Sequence, residues 1–338
     1  MNHEIDTSKI NIRTDLAIEQ IDDISYINEK IIDDIKVTNI TVNDTNKNKY
    51  LKKEGQYITI EFNDITDYNN SKKVEQVFIN ELKELLNQYD INDDNTCLVI
   101  GLGNEKSTPD SLGPLTINDI IVTNHYYYLG LDVEEGFRSV AAISPGVMGT
   151  TGIETYDIIY SIVKQIKPDF VIIIDSLKAT SVNRINKTIQ ITDTGISPGS
   201  GIGNNRKEIS KEVLKIPVFA IGIPTVVDSI TIINDSINHI TNYYSYMKNN
   251  INNPSEKLKI VRTNYKDNDI NTDDKKELFG IFWTLNEEEI KQFICEVLIP
   301  IGYNMIVTPK DIDFEIKRLS NILSNGINNS LHKNVNNL

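Results

Sequence analysis

Three continuous runs of apolar residues constrain the fold of this chain more than any other feature. They are "CLVIGLG" from Cys97, "FVIIID" from Phe170 and "PVFAIG" from Pro217. Strands that are buried on both faces of a parallel sheet have this uninterrupted pattern. A stripe of Ile and Val at helical spacing over residues 151–166 precedes the second run. Helices between apolar strands predict an α/β protein with a mostly parallel central sheet sandwiched by helices.

Local patterns add further strands and helices around this sheet. Residues 35–62 alternate between apolar and polar positions, which predicts a peripheral hairpin or edge strands. Residues 74–86 place their apolar side chains on one helical face. Thr151 and Glu154 have the spacing of a capping box, so a helix is expected to begin there and to end before Pro168.

The C-terminal third predicts two more helices. The second is expected to have Thr308 as its N-cap, with Pro309 at the first helical position, and to stop at Gly326. Residues 327–338 then form a frayed tail in this interpretation. Residues 248–280 are polar and without periodicity, which predicts a peripheral segment of an otherwise single α/β domain.

Charge and composition exclude several kinds of protein. The formal net charge is -14 at pH 7, which opposes binding to nucleic acid and to anionic membranes. No apolar run approaches the length of a membrane span, and the polar N-terminus lacks the apolar segment of a signal peptide. Cys97 and Cys295 are the only cysteines, which fits a reducing compartment. A soluble cytoplasmic protein is expected.

Two acids follow predicted strands at positions where α/β proteins place their sites. Asp110 lies in the glycine-rich loop "GLGNEKSTPDSLGP", and Asp175 terminates "FVIIID". Sites in open α/β sheets collect at the carboxyl ends of the strands, so neighbouring strands would bring both carboxylates to one crevice. Taken alone, either acid has the ordinary alternative of a turn former or helix cap.

A pair of carboxylates in one crevice has a chemistry that a single one lacks. Like charges that are close together cannot both ionise cheaply, so the pair holds one proton between them. One member can then take a proton from water while the other donates one to a carbonyl group. This chemistry hydrolyses a bond without a nucleophilic side chain.

Competing site motifs are weaker. The four histidines have no metal-ligand spacing, so neither a zinc site nor another cofactor is expected. Ser197 in "GISPG" is followed by Pro198 and more glycines, which indicates a loop rather than a nucleophile elbow. The loop over residues 194–208 is compatible with a flexible linker or with a functional loop. Gly101 and Gly103 lack the third glycine of a dinucleotide fingerprint.

Six segments together resemble the spore germination protease family in order and spacing. The resemblance covers most of residues 10–330. The segments are "NIRTDLAIE", "GLGNEKSTPDSLGP", "SPGVMGTTGIET", "DSLKATSVNRINKTIQITDTGISPGSGIGN", "IGIPTVVD" and "VTPKDID". The resemblance implies an endopeptidase, made as a self-processing zymogen, that degrades small acid-soluble spore proteins at germination. It also implies a homotetramer in the cytoplasm of the developing spore and the spore core, and a fold similar to that of the hydrogenase maturation endopeptidases.

The family's catalytic pair of aspartates carries over by motif to Asp110 in "TPDSLGP" and to Asp175 in "IIIDSL". Its propeptide carries over to residues 1–15, with cleavage between Asp15 and Leu16 and a peptidase domain over residues 16–338. The resemblance implies substrates cut after an acid, before an apolar residue and alanine. By local pattern alone, the cap of a short helix is the slightly favoured explanation of Asp15, and the resemblance reverses that preference.

Two other functions stay open. One is a metal-assisted peptidase in which Asp110 and Asp175, with Glu154 or Asp228, bind a hard cation through oxygen. The other is a non-catalytic module that binds a nucleotide or a peptide. Exhaustive metal removal separates the first from a purely carboxylate mechanism, and incubation with a candidate substrate protein separates the second from both.

Overall fold

The computed structural model describes residues 14–21, 26–44, 52–197, 207–252, 276, 280 and 287–335. The chain forms two compact units. The larger one contains Arg13–Ala179, Asn183–Val226 and Thr308–Leu338. The described residues of the smaller one are 180–182, 227–252, 276, 280 and 287–307.

The strands form one mixed sheet in the order β1-β2-β3-β7-β8-β6-β4-β5, and β9 pairs with the end of β8. Their bounds are Ile27–Ile32 (β1), Ile35–Val42 (β2), Gly55–Glu61 (β3), Cys97–Gly101 (β4), Val140–Ile143 (β5), Phe170–Ala179 (β6), Thr188–Thr192 (β7), Val218–Asp228 (β8) and Ile306–Val307 (β9).

The sheet has a parallel part and an antiparallel part. β4 pairs in parallel with both β5 and β6. β1, β2, β3, β7 and β8 pair antiparallel, each with the next. Asp33 and Asp34 join β1 to β2 at φ 50° and 69°, as a two-residue hairpin turn requires. The predicted α/β class is confirmed, with a larger antiparallel part than the peripheral hairpin that the sequence indicates.

Helices lie against this sheet and in the smaller unit. Their bounds are Tyr68–Gln88 (α1), Leu112–Asn118 (α2), Asn124–Leu129 (α3), Met148–Thr151 (α4), Thr155–Ile166 (α5), Lys211–Leu214 (α6), Ser229–Asn249 (α7), Glu287–Leu298 (α8) and Ile312–Leu331 (α9). Single turns of 3-10 helix occur at Ala17–Glu19, Thr108–Asp110 and Val182–Arg184.

The larger unit has apolar clusters on both faces of the sheet, and β6 contributes to each. Phe170 and Ile172 join the cluster that contains side chains of α1 and α9. Val171 and Ile173 join the cluster that contains Ile159 of α5. Burial on both faces is the physical reason for the unbroken apolar run, because successive side chains of a strand point to opposite faces.

The predicted capping box at Thr151 and Glu154 is wrong. Thr151 is the last residue of α4, and Gly152 follows in the left-handed region at φ 71°. α5 begins at Thr155, and its N-cap Glu154 makes no side-chain cap hydrogen bond. Gly152, in the left-handed backbone conformation, thus separates two helices, whereas the local pattern predicted the start of a single helix.

The predicted limits of the last helix are also wrong. α9 begins at Ile312, after the Asp311 N-cap, and the Thr308 hydroxyl instead donates to the Thr225 carbonyl at 2.8 Å. The helix continues through Gly326 to Leu331, whose side chain is buried. A Cβ at Gly326 would overlap the ring of Phe78 on α1, so this glycine permits close helix packing rather than ending a helix.

Two sequence predictions lie mostly outside the described residues. They are the glycine-rich loop at 194–208, of which 198–206 are not described, and the polar segment at 248–280, of which only 248–252, 276 and 280 are described. Among the helices that are described, none has both the length and the apolar character needed to cross a membrane.

Candidate active site

Asp175 lies where β4 leaves the sheet beside β6. Gly101 at the end of β4 is the register partner of Ile174, and the Leu102 N–H still donates to the Ile174 carbonyl at 2.8 Å. Asp175 is therefore the first residue of β6 beyond this pairing. β6 itself continues to Ala179, so Asp175 does not terminate the strand as predicted. Its side chain is 8% exposed, and its Oδ1 accepts the Ser176 N–H at 2.9 Å.

Asp110 is held by the loop that follows β4. It ends the 3-10 turn Thr108–Asp110, and its N–H donates to the Ser107 carbonyl at 2.8 Å. The Asn104 N–H approaches both the Asp110 carbonyl oxygen, at 3.0 Å, and the carboxylate Oδ2, at 2.9 Å. One backbone donor thus fixes both the main chain and the carboxylate of Asp110.

Two glycines let this loop fold back on β4. Gly103 has φ 116°, in the region that favours glycine, and a Cβ there would overlap the Asp110 carbonyl oxygen. A Cβ on Gly101 would overlap the backbone of Gly113 at the start of α2. The glycine-rich loop therefore brings a carboxylate onto the strand end through backbone-to-backbone packing.

Thr225 on β8 also helps to position the turn that carries Asp110, and the sequence did not predict this role. Its hydroxyl donates to the Pro109 carbonyl at 2.7 Å, and its side chain is fully buried. β8 is the neighbour of β6, so this bond ties the Asp110 turn to the next strand of the sheet. The only sequence signal was the polar residue in the otherwise apolar run "IGIPTVVD".

The 3-10 turn with Asp110 contacts β6. Both acids thus lie near the carboxyl end of β4, Asp110 in the loop that follows it and Asp175 just beyond the last pairing of β4 with β6. Glu154, the other acid of the larger unit considered as a cation ligand, is half-buried at the N-cap of α5. Asp228 caps α7 in the smaller unit and is buried. Within the described ranges, no three His, Cys, Asp or Glu residues are grouped so as to hold a metal ion.

The peptide bond between Asp15 and Leu16, the predicted cleavage site, lies in the larger unit, where hydrogen bonds and burial hold it. The Asp15 N–H donates to the Lys178 carbonyl at 3.0 Å, and the Lys178 N–H donates to Asp15 Oδ2 at 2.9 Å. Leu16 and Ala17 are fully buried. Asp15 therefore lies beside β6, three residues along that strand from Asp175, or about 10 Å at the usual rise of a strand.

Two side chains bind the carbonyl oxygen of this bond. Lys52 Nζ donates to the Asp15 carbonyl at 3.2 Å, and Gln190 Nε2 donates to it at 3.1 Å. Gln190 Oε1 also accepts the Ala17 N–H at 2.7 Å. Burial lowers the pKa of the Lys52 ammonium, while the carboxylates of Asp15 and Glu19 oppose this shift. We call Lys52 and Gln190 the carbonyl clamp.

The carbonyl clamp could not be read from the sequence. Lys52 and Gln190 are far apart in the chain, and they meet because β3, which follows Lys52, pairs with β7. The one available signal was Gln190 itself, a buried polar residue in the middle of the strand "TIQIT".

The protein is therefore of the α/β class. Its site has two carboxylates near the end of β4, and the carbonyl clamp holds its N-terminal segment at Asp15. A family model described as germination protease matches residues 2–338. Curated germination proteases are similar to this chain over nearly its full length, and two of them have almost the same sequence identity to it. That of a Geobacillus species is 44% identical over 99% of this chain and 97% of its own. That of Halalkalibacterium halodurans is 42% identical over 99% and 98%. The chain belongs to the germination protease family and is a peptidase of spore germination.

A solved structure is similar over part of the fold. It is a NiFe hydrogenase maturation protease, HycI, from Thermococcus kodakarensis. The sequence identity is 16%, with a TM-score of 0.29 over 43% of this chain and 80% of the other.

Proposed function

We propose that this chain is an endopeptidase in which Asp110 and Asp175 activate water for the hydrolysis of peptide bonds. The observation that carries the proposal is the placement of both acids at one edge of β4 and β6. Membership of the germination protease family supports the peptidase activity, and the geometry of the strand edge supports the choice of these two residues.

The reaction uses the two carboxyl groups in opposite protonation states. One carboxylate takes a proton from a water molecule, and the resulting hydroxide attacks the peptide carbonyl carbon. The other, protonated, group donates its proton toward the carbonyl oxygen. Collapse of the tetrahedral intermediate breaks the C–N bond, and the proton taken from water goes to the leaving amine. At the same time one hydroxyl group of the intermediate returns its proton to the second carboxylate, which leaves a carboxylic acid and restores both groups to their starting states. Asn104 N–H holds Asp110 in place during these steps.

Substitution of each acid tests this proposal. Asp110→Asn and Asp175→Asn keep the side-chain volume, so we expect both variants to fold and to lose at least ~10²-fold in turnover of a protein substrate. Asp157→Asn, an exposed acid on α5, is the matched control and keeps wild-type turnover. Near-wild-type turnover by either site variant would remove that residue from the mechanism. Loss of wild-type activity after exhaustive chelation would favour the metal-assisted alternative instead.

We also propose that the chain is a zymogen that removes its own residues 1–15 by cutting between Asp15 and Leu16. Asp15 is an acid followed by Leu16 and Ala17, the pattern that the family resemblance implies for substrates. Its pairing with Lys178 brings it alongside the strand that carries Asp175. Because Leu16 is buried and the Asp15 carbonyl is clamped, the segment must leave these contacts before the bond can be cut.

Mass spectrometry of purified protein during incubation tests the self-processing. The mature form is expected to begin at Leu16, and Asp175→Asn is expected to stay unprocessed in the absence of wild-type enzyme. A mature form with a different first residue, or full processing of the isolated variant, would contradict the proposal.

The remaining proposals concern substrates, assembly and location. We infer small acid-soluble spore proteins as substrates, a homotetramer as the assembly, and the cytoplasm of the spore as the location, all on the strength of family membership. Digestion of a purified spore protein of this class and light scattering on the eluted enzyme measure the first two directly.

A further inference from the structure

A buried arginine at the amino edge of the parallel strands has no direct counter-charge among the described residues. Arg138 precedes β5, and its side chain is 6% exposed. Its Nε donates to the Leu331 carbonyl at 2.8 Å, and its guanidinium carbon lies 5.4 Å from the centre of the Phe170 ring. Its Nη1 is buried without a hydrogen-bond partner among the described residues.

The charge on Arg138 has to be balanced from somewhere. Burial lowers the pKa of the guanidinium, but arginine stays charged in proteins at neutral pH. The Cys97 thiol is no counter-ion, because burial raises its pKa. Asp93 attracts Arg138 but is itself paired with Lys333. A buried charge without a partner is strongly destabilising, so this arrangement points to a ligand.

A cavity of about 230 Å³ lies beside Arg138. Lys83, Lys333 and Asp93 are also among its lining residues. His332 lines it too; this side chain is 3% exposed, and its Nδ1 has no hydrogen-bond partner in the part of the chain that is described. One water molecule occupies about 30 Å³ of liquid, so the cavity holds several waters or one small ion.

We propose that this cavity is a binding site for a small oxyanion of the phosphate or carboxylate class, with Arg138 as its main contact. A water molecule would satisfy Nη1 but would leave the charge unbalanced, whereas an oxyanion supplies both an acceptor and the opposite charge. Lys83 adds positive charge at the solvent side, where water and salt weaken it, and Lys333 offsets the negative charge of Asp93, with which it is paired. The site is separate from Asp110 and Asp175, which lie at the carboxyl edge of the strands.

Calorimetric titration of the full chain with sodium phosphate, and separately with sodium acetate, tests the site. Sodium chloride at equal ionic strength is the reference. At least one oxyanion is expected to bind saturably and to raise the melting temperature. Arg138→Met is expected to weaken binding by roughly tenfold or more, because it removes the charged contact. Binding of phosphate alone or of acetate alone identifies the class.

Lys83→Met and Lys333→Met keep the test usable if Arg138→Met does not fold. Each is expected to weaken binding about two- to threefold, as for a partly screened charge. Lys73→Met is the matched control, since Lys73 is an exposed lysine on the same helix as Lys83 but ten residues away. Binding of neither anion beyond the chloride reference, or equal weakening by Lys73→Met and Lys83→Met, would overturn the proposal.

Discussion

Gly103 controls the position of the carboxylate at the strand edge. Its φ of 116° and its contact with the Asp110 carbonyl both exclude a side chain. We expect Gly103→Ala to lower the free energy of unfolding by roughly 1–3 kcal/mol, the cost of a strained backbone residue. We also expect turnover to fall by at least ~10-fold, because small displacements of a catalytic group are costly. Chemical denaturation and turnover of a protein substrate measure the two effects.

Gly130→Ala separates backbone strain from the loss of the site. Gly130 also has a positive φ, of 65°, and it ends α3, but no atom of the described residues lies within 4 Å of the position that an added methyl group would take. This control is expected to cost about 1 kcal/mol of stability and to keep full turnover. Equal losses of turnover in the two variants would show that Gly103 acts only through stability.

At the scale of the elements, the contact between α1 and α9 depends on Gly326. Alanine is normally preferred to glycine inside a helix by about 1 kcal/mol. Here the added methyl group would overlap the Phe78 ring, so we expect Gly326→Ala to destabilise the protein by roughly 1–3 kcal/mol, as overpacking of a core does. Urea denaturation measures it. Asn321→Ala, at an exposed position of the same helix, should change stability by about 0.5 kcal/mol or less.

The elements that could be predicted from the sequence are those set by local pattern. The apolar run of β6 follows from burial on both faces, and the pattern after β4 correctly placed Asp110 in a loop. Asp175 was expected to end its strand, but β6 continues to Ala179. Gly326 shows the limit of this reasoning. A glycine near the end of a helical pattern indicates a C-cap locally, but its role in α9 is set by a ring on α1.

Other features depend on contacts between distant parts of the chain. The antiparallel order β3-β7-β8 decides that Lys52 meets Gln190, and no local periodicity encodes that order. Likewise, the cavity beside Arg138 arises where the last turn of α9 meets the end of α1. Such features follow from tertiary packing, so a single sequence without its fold does not reveal them.

At the scale of the whole molecule, the net charge predicts that the enzyme, unlike its proposed substrates, does not bind DNA. The family resemblance implies substrates that bind DNA, but the formal net charge of -14 on this chain opposes the counterion release on which DNA binding depends. We expect no retardation of a DNA fragment by the purified chain at physiological ionic strength. The electrophoretic assay uses a DNA-binding spore protein as the positive control. Robust retardation by the chain alone would contradict the expectation.

The packing of α9 against α1 also has a consequence for synthesis on the ribosome. The two helices share one apolar cluster, yet residues 89–311 separate them in the chain. At about 5–20 residues per second, translation of that interval takes on the order of 10–45 s. Throughout it, the side of α1 that meets α9 has no partner, and exposed apolar surface of this kind promotes aggregation. The speed at which the ribosome reaches α9 therefore helps to determine how much of the nascent protein folds.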